Sequence, residues 1–518
     1  MQNYTKTALI VTSTMFYNVS KTTRTFKNEF LTTFCIDKFF DLSAVKQSLF
    51  EQQESPTSII FYHLSNNNDY QTNIIKHQSL KVNSFLKNFK MLVIEKFDKK
   101  EILQKYFIEN DWMFKVALYG NTLDFVFLKR LFKNDYNISD LIENEKLNKG
   151  AGIERGKDSK PFKKLIGLPI IENKSIKEFY TFVDKGKLLT ENDIHLSRGR
   201  KREIFIGCKI LLKEQSKDWN QPIISYTDDD CVFRKGTFSI SSDDENKIKS
   251  LYGYLISDFY LYYLYCITGA WGIGTRPAIR FDEEYLSFPI VNTNNENEKV
   301  IIGLVNEFIK PFREFYSNFE LGYPQKKTSV LEKINSSINN LYNIKGYEKD
   351  LINYVLEVSR YQFQESKQQK FIKKVDNDKD FLEKYAAVYI QEFEKIYDDE
   401  FIQVEIYPLN HFIALNFVFL DEKPKEIIIY PDKKDEKQVL KRLANNLSIS
   451  QITNANDASM NLFIQKDIKG FEKNSFYIIK PNEFKCWHRA TAWYDVAEFR
   501  EAIQKAELEH LKPNLDEF

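Results

Sequence analysis

The chain has 518 residues, with 74 Lys and Arg against 73 Asp and Glu and a net charge of +1. No global field therefore draws it to nucleic acid or to a membrane surface, and any basic site has to be local. Five scattered cysteines (Cys35, Cys208, Cys231, Cys266, Cys486) form no pair at metal-ligand or redox spacing, which points to a reducing cytosol and buried free thiols. The N-terminal MQNYTKTALIVTSTMFYN has no basic and long apolar leader pattern. The most apolar run, LYGYLISDFYLYYLYCITGAWGIG, is interrupted by Asp258 and several glycines, so it predicts a buried helix and not a membrane span. The length allows two to four domains, each with its own core.

The first elements alternate strand and helix. TALIVTSTMFY predicts a strand, and its unbroken apolar run predicts cover on both faces. TRTFKNEFLTTFCIDKFF predicts a helix and then a short strand, SAVKQSLF a helical turn, PTSIIFYHLS a second buried strand and KMLVIEKF a third. This alternation is that of an open α/β sheet. From about residue 140 the pattern changes. LIENEKLNKGAGIERGKDSKPFKK is polar and glycine-bearing, and predicts a loop. Short β-like runs follow (KEFYTFV, EIFIGCKILLK, QPIISYT, KGTFSIS), then one helix over ENKIKSLYGYLISDFYLYYLY, then TGAWGIGTRPAIRFDEEYLSFPI, a Gly-rich turn carrying two arginines. VNTNNENEK is a linker into amphipathic helices. Residues 371–518 predict a helix, three strands, a helix over EKQVLKRLANNL, a strand SFYIIKP and a last helix from about Asp495. The resulting domains are 1–140 (α/β), 141–300 (β-rich), 301–370 (helical connector) and 371–518 (α+β, role unknown).

Several constellations could carry chemistry. Gly150, Gly152 and Gly156 stand in LNKGAGIERGK, but ENEKLNK before them is charged, whereas a cofactor cradle needs an apolar strand there. A loop placing Arg155 and Lys157 near a phosphate backbone fits better. SRGRKREIFIGCKILLK gathers Arg198, Arg200, Lys201 and Arg202 with no acid among them, then opens a strand with Lys209. Such groups suit phosphate oxygens and, for arginine, guanine edges. A solvated charged loop is the commoner fate of such a run, but Arg276 and Arg280 in the same proposed domain tilt the choice to DNA. Trp271 either wedges at a base step or is an ordinary buried tryptophan. Tyr260, Tyr262, Tyr263 and Tyr265 predict core and subunit interface. The six histidines show no metal spacing, and His488 beside Cys486 is no zinc site. Asp432 and the Glu483-Phe484-Lys485 segment could bind a divalent ion as in a nuclease, although about fifty residues separate them.

The order of segments resembles the later part of the N6-adenine DNA methyltransferases of type I and type IIG restriction–modification systems. TALIVTSTMFY, FFDLSAVKQSLF and SPTSIIFYHL match the strand, helix and strand that follow the family's catalytic motif. GAGIERG, GCKILLK, LYGYLISDFYLYYL and YLSFPIV match its target-recognition domain in order. The resemblance covers roughly residues 5–310 and implies a partial Rossmann-like methyltransferase sheet, a β-rich target-recognition domain, a helical segment and an α+β C-terminal domain. Two family features are missing: the S-adenosylmethionine loop and the Asn/Asp-Pro-Pro-aromatic tetrapeptide that holds a flipped adenine, since no two prolines are adjacent anywhere. The chain by itself is therefore not expected to methylate DNA or to hold a cofactor.

The expectation is a cytoplasmic, DNA-binding target-recognition subunit of a split or catalytically incomplete adenine methyltransferase in a restriction–modification or anti-phage complex. Double-stranded DNA is one partner. A second polypeptide carrying S-adenosylmethionine and the catalytic motif is the other. The edge strand lacking its neighbour would be sticky and make the protein an obligate heteromer. The contacts to DNA are Arg155, Lys157, Arg198, Arg200, Lys201, Arg202, Lys209, Trp271, Arg276 and Arg280. A metal-dependent nuclease effector with its site in the C-terminal domain, or an interaction scaffold that binds no DNA, are the alternatives.

Overall fold

A computed structural model of the chain describes residues 6–50, 55–66, 68–83, 85–86, 91–156, 163–190, 196–198, 200–215, 221–269, 271–273, 278–291, 295–317, 323–324, 328–363, 369–395, 401–431, 462–464, 468–472 and 474–510. Among them the architecture is mixed α/β, with three five-stranded sheets, small two-stranded ribbons and helices. No helix among the described residues is long and apolar enough to cross a membrane.

The first sheet contains β1 (Thr7–Thr12), β2 (Phe34–Asp41), β3 (Thr57–Leu64), β4 (Ile74–Ser79) and β5 (Lys99–Leu103), in the order β1-β3-β2-β4-β5. β3 is antiparallel to β1 and β2, which therefore run parallel to each other, and β4 is parallel to β2. Helix α1 (Lys21–Thr33) links β1 to β2. It starts where the Ser20 hydroxyl accepts the Thr23 N–H, and runs straight into β2 at Phe34. Phe16, Leu31, Phe39, Ile60 and Ile75 fill one core with helix α2 (Met113–Tyr119).

Two expectations fail in this sheet. β1 is not covered on both faces: it is exposed along nearly all its length, with Leu9 46% and Ile10 61% accessible. The reason is its place at the sheet's edge, where only β3 pairs with it and the packing on either face stops one strand short. KMLVIEKF contributes Leu92–Ile94, which pairs in parallel with Leu462–Ile464 outside this sheet. The strand the sheet uses instead is β4, whose Lys76, His77 and Gln78 hide it from an apolar-run criterion.

The second sheet takes β6 (Asn148–Ala151), β8 (Phe179–Tyr180), β10 (Cys208–Lys213), β11 (Ile224–Thr227) and β12 (Thr237–Ser242), ordered β8-β11-β10-β12-β6. A separate ribbon pairs β7 (Glu154–Arg155) with β9 (Leu196–Arg198). Strand alternation divides β10 between two cores. Ile210 and Leu212 pack with helices α3 (Glu245–Leu255) and α4 (Asp258–Ile267), whereas Leu211 joins a smaller cluster with Ile153, Ile204, Phe205 and Val232. The single helix expected over this stretch is two, because the Ser257 hydroxyl accepts the Tyr260 N–H and starts α4 afresh. Tyr260, Tyr262, Tyr263 and Tyr265 are wholly buried. The first three donate to Tyr285 O, Asp124 and Ser287 O, so the row belongs to the chain's own core and not to a subunit interface.

Helices α5 (Asn295–Ser317), α6 (Ser329–Leu341) and α7 (Gly346–Glu357) form the helical segment, with α5 lying on α3 and α6. Beyond them come helix α8 (Lys379–Phe393), a third sheet containing Phe401–Pro408, Phe412–Leu420, Ile428–Ile429, Ile468–Glu472 and Ser475–Pro481, and helix α9 (Arg489–His510). α9 starts at Arg489, earlier than the expected Asp495, because His488 Nδ1 accepts the Ala490 N–H and the Thr491 hydroxyl bonds back to Lys485 O and His488 O. The core under this sheet also contains Leu42, Val45, Leu80, Val82 and Ile94 from the first unit. EKQVLKRLANNL lies outside the described residues.

Candidate nucleic-acid interface

The glycine-bearing segment expected as a loop is strand: β6 pairs with β12, and β7 follows one turn later. Backbones approach so closely here that a Cβ on Gly152 would lie 2.4 Å from Arg234 O, leaving no room for a side chain. Gly152 N–H donates to Thr237 O and Ile153 N–H to Phe233 O. β7 pairs with β9, placing Arg198 opposite Glu154 and Leu196 opposite Arg155. Arg200 Nε donates to Gly152 O at 3.3 Å across 48 residues of sequence. The two basic segments that the sequence presents separately are thus one surface. The 3₁₀ turn Arg202–Phe205 buries Ile204 and Phe205 and leaves Lys201 and Arg202 exposed. Hydroxyls of Ser239 and Ser241 hold this turn by donating to Ile204 O and Glu203 O.

The Gly-rich turn after α4 is a packed joint between the first and second sheets. Lys115, alone in the apolar helix α2 and buried, donates to Thr268 O at 2.7 Å, Gly269 O at 3.2 Å and Trp271 O at 2.7 Å. Three ammonium protons meet three carbonyls. Burial pushes the Lys115 pKa down to about 7, against the opposing pull of Glu284. The Glu284 carboxylate accepts Gly269 N–H at 2.7 Å and Arg280 N–H at 2.6 Å, clamping the two ends of the turn. From the end of β2's connection, Lys46 donates to Ile273 O. Gly272 has φ +83°, and a Cβ there would meet Tyr119 Oη at 2.6 Å. The returning chain then lies along the second sheet. Ile279 N–H donates to Glu214 O, Phe281 stacks on Phe238 at 4.5 Å, and Asp282 pairs with Lys149 of β6 at 3.3 Å. Arg280 consequently emerges at the end of the sheet where β6 leads to Gly152.

The expected contacts divide as follows. Arg200, Lys201, Arg202 and Arg280 are partly or fully exposed, with Arg200 and Arg280 at this end of the sheet. Arg155 and Arg198 sit on the paired strands β7 and β9, and Lys157 and Arg276 lie outside the described residues. Two expectations are corrected. Lys209 is wholly buried, its ammonium spent on Gly207 O and Asp229 O, and burial lowers its pKa; it cannot reach a phosphate. Trp271 is also wholly buried, 4.5 Å from Tyr265, so it is a core tryptophan and not a wedge. Lys115, Lys46 and Glu284 escaped the sequence reading. The available signal was a single lysine in the apolar stretch WMFKVALY.

Glu483 and Lys485 form an internal ion pair. Lys485 Nζ lies 2.6 Å from Glu95 and 3.3 Å from Glu483, and both Glu483 and Lys485 are buried. Burial opposes the charge on Lys485, but the two carboxylates prevail and hold its pKa above the usual value. The pair joins the C-terminal unit to the segment after Leu92–Ile94, which accounts for Glu-x-Lys without a metal. Among the described residues no group of three or more His, Cys, Asp or Glu could hold a metal ion, and Asp432 lies outside them.

No protein-family model matches the chain, and no curated protein matches it. Among solved structures it is similar to the type IIL restriction-modification enzyme MmeI in complex with DNA, at 13% identity and a TM-score of 0.40, over 69% of this chain and 49% of that one. It is also similar to the type IIG restriction endonuclease BpuSI, at 10% identity and a TM-score of 0.32, over 71% of this chain and 48% of that one. The chain spans about half the length of these structures. At such identities the functional reading rests on the residues themselves.

Proposed function

We propose that the chain is the DNA-binding target-recognition subunit of a split or catalytically incomplete adenine DNA methyltransferase, acting in a restriction–modification or anti-phage defence complex. The observation that carries this reading is the bare edge of β1. In register, Leu9 lies beside Ile60 and Phe39 on one face of the sheet, and Ile10 beside Ile59 and Phe40 on the other. Ile60 and Phe39 are buried, yet Leu9 and Ile10 are open to water. A sheet that ends at such a strand ordinarily guards it with lysine, proline or a bulge. TALIVT has none of these. A further strand laid along β1, with helices over both faces, would bury both side chains.

The resemblance supplies the identity of what is missing: a polypeptide with the S-adenosylmethionine loop and the Asn-Pro-Pro-aromatic motif. In this division of labour the present chain holds no cofactor. Lys201 and Arg202 contact phosphates, and Arg155, Lys157, Arg198, Arg200, Arg276 and Arg280 are the further residues for phosphate or base contact. The internal clamp of Lys115 and Glu284 fixes Gly269, Trp271 and Arg280 against the first sheet, so the reading and reacting parts keep one geometry.

Hydrogen exchange tests the edge. The amides of Thr7–Thr12 that point away from β3 should exchange rapidly in the isolated chain and become protected when it is coexpressed with the polypeptide encoded beside it, and only the pair should methylate duplex DNA. An isolated monomer in which those outward β1 amides are already protected and whose duplex binding ignores salt would overturn the proposal.

A further inference from the structure

A cavity of about 420 Å³ lies where the second sheet, the helical segment and the start of the C-terminal unit meet. We propose that it is a nucleotide site, taking a planar base against its apolar wall and a phosphate on Arg360 and Lys370. The volume falls in the range of about 300–1,000 Å³ typical of small-molecule sites. Phe179, Ile224, Leu261, Leu331 and Leu356 supply the wall, and Gln221 and Asn353 supply polar groups for a base edge.

The charged end is specific. The Arg360 guanidinium lies over the Tyr361 ring at 4.6 Å, and the Lys370 ammonium over the same ring at 4.3 Å. Arg360 also donates to Tyr361 Oη and reaches Gln221 Oε1 at 3.5 Å, so its fork is held in place. Two cations converging on one tyrosine offer this end of the cavity to a phosphate monoester, while the lining as a whole carries three carboxylates, Glu178, Asp258 and Glu357, against those two cations. Lys370 is exposed, so this end opens to solvent. Of the carboxylates, Asp258 accepts from Asn335, Glu357 faces His488 at 3.5 Å, and Glu178 belongs to the segment entering β8. None of these residues belongs to the DNA-reading surface, so the site stands or falls independently of that role.

Calorimetry of the full chain with AMP, with adenosine and inorganic phosphate as half-ligands, tests the site. AMP should bind one to one, and each half at least about tenfold more weakly, the weight of one charge-assisted hydrogen bond. Arg360→Gln with Lys370→Gln should weaken AMP about tenfold or more at an unchanged Tm. Leu331→Trp, which fills the cavity, should abolish AMP binding and spare duplex binding. Displacement of AMP by a 5′-phosphorylated single strand would assign the pocket to a DNA end. Retention of AMP would assign it to a free nucleotide, and either result supports the site. Failure of AMP, GMP, CMP and UMP alike to bind, or affinity indifferent to both sets of substitutions, overturns it.

Discussion

Two regions invert the usual distribution of residues, in opposite senses. At the turn after α4 the protein buries charge: Lys115, Lys46 and Glu284 sit inside it. At β1 it exposes apolar surface: Leu9 and Ile10 face water. Burying an ion is unfavourable unless its hydrogen bonds are satisfied, and at the turn they are, by carbonyls and amides of this same chain. Nothing among the described residues does the equivalent for β1. The first region is satisfied from within the chain and the second stays open among the described residues.

The sharpest way to break this contrast is to spoil the satisfied joint. Lys115→Met leaves three buried carbonyls without their donor, which should cost about 2–4 kcal/mol of stability, read as a lower urea midpoint, and should weaken duplex binding through the displaced loop. Unchanged stability would mean that the joint is not held by its charges. Next in size, Arg200→Ala, Lys201→Ala and Arg202→Ala together should lower duplex affinity about 100-fold at low salt and flatten the log-affinity against log-salt slope by about two to three units. A drop that spares the slope would point to folding and not to phosphate contact.

At the open edge the expected effects are smaller and selective. Ile10→Lys puts a charge where a neighbouring strand should pack, and should weaken partner association about tenfold or more. Because the site is exposed, its effect on the isolated chain's stability should stay within about 0.5 kcal/mol. Equal loss of stability and association would show that β1 is already internal.

The last comparison is in pH. Burial pushes Lys100 and Lys115 down to about 7. In the unfolded chain a lysine keeps its proton to about pH 10.4. Between those values the unfolded state binds more protons, so stability should rise from pH 7 to 9, by at most about 1.4 kcal/mol per pH unit for each lysine. Thermal scans should show Tm increasing over that interval, less steeply in Lys115→Met. A Tm that falls would contradict the sign.

Much of the fold was legible in the sequence, because its signals are local. The helix-to-strand passage through Thr33 and Phe34, the strand Thr57–Leu64 and the buried tyrosine row each follow from the spacing of apolar groups along one segment. The candidate interface was legible only as a list of cations. Lys209 looks like its neighbours until β10 buries it between Gly207 O and Asp229 O, and Trp271 looks available until Tyr265 covers it.

The sequence by itself determined the segment order, the amphipathic elements and the basic runs, since these depend on neighbours a few residues away. Only the tertiary structure decided that Arg200 reaches Gly152, that Lys115 closes a turn 153 residues distant, and that β1 ends as an open edge. Those outcomes depend on which backbones come to lie side by side. Strand pairing and burial of charge are settled by partners far along the chain, and no local pattern records them.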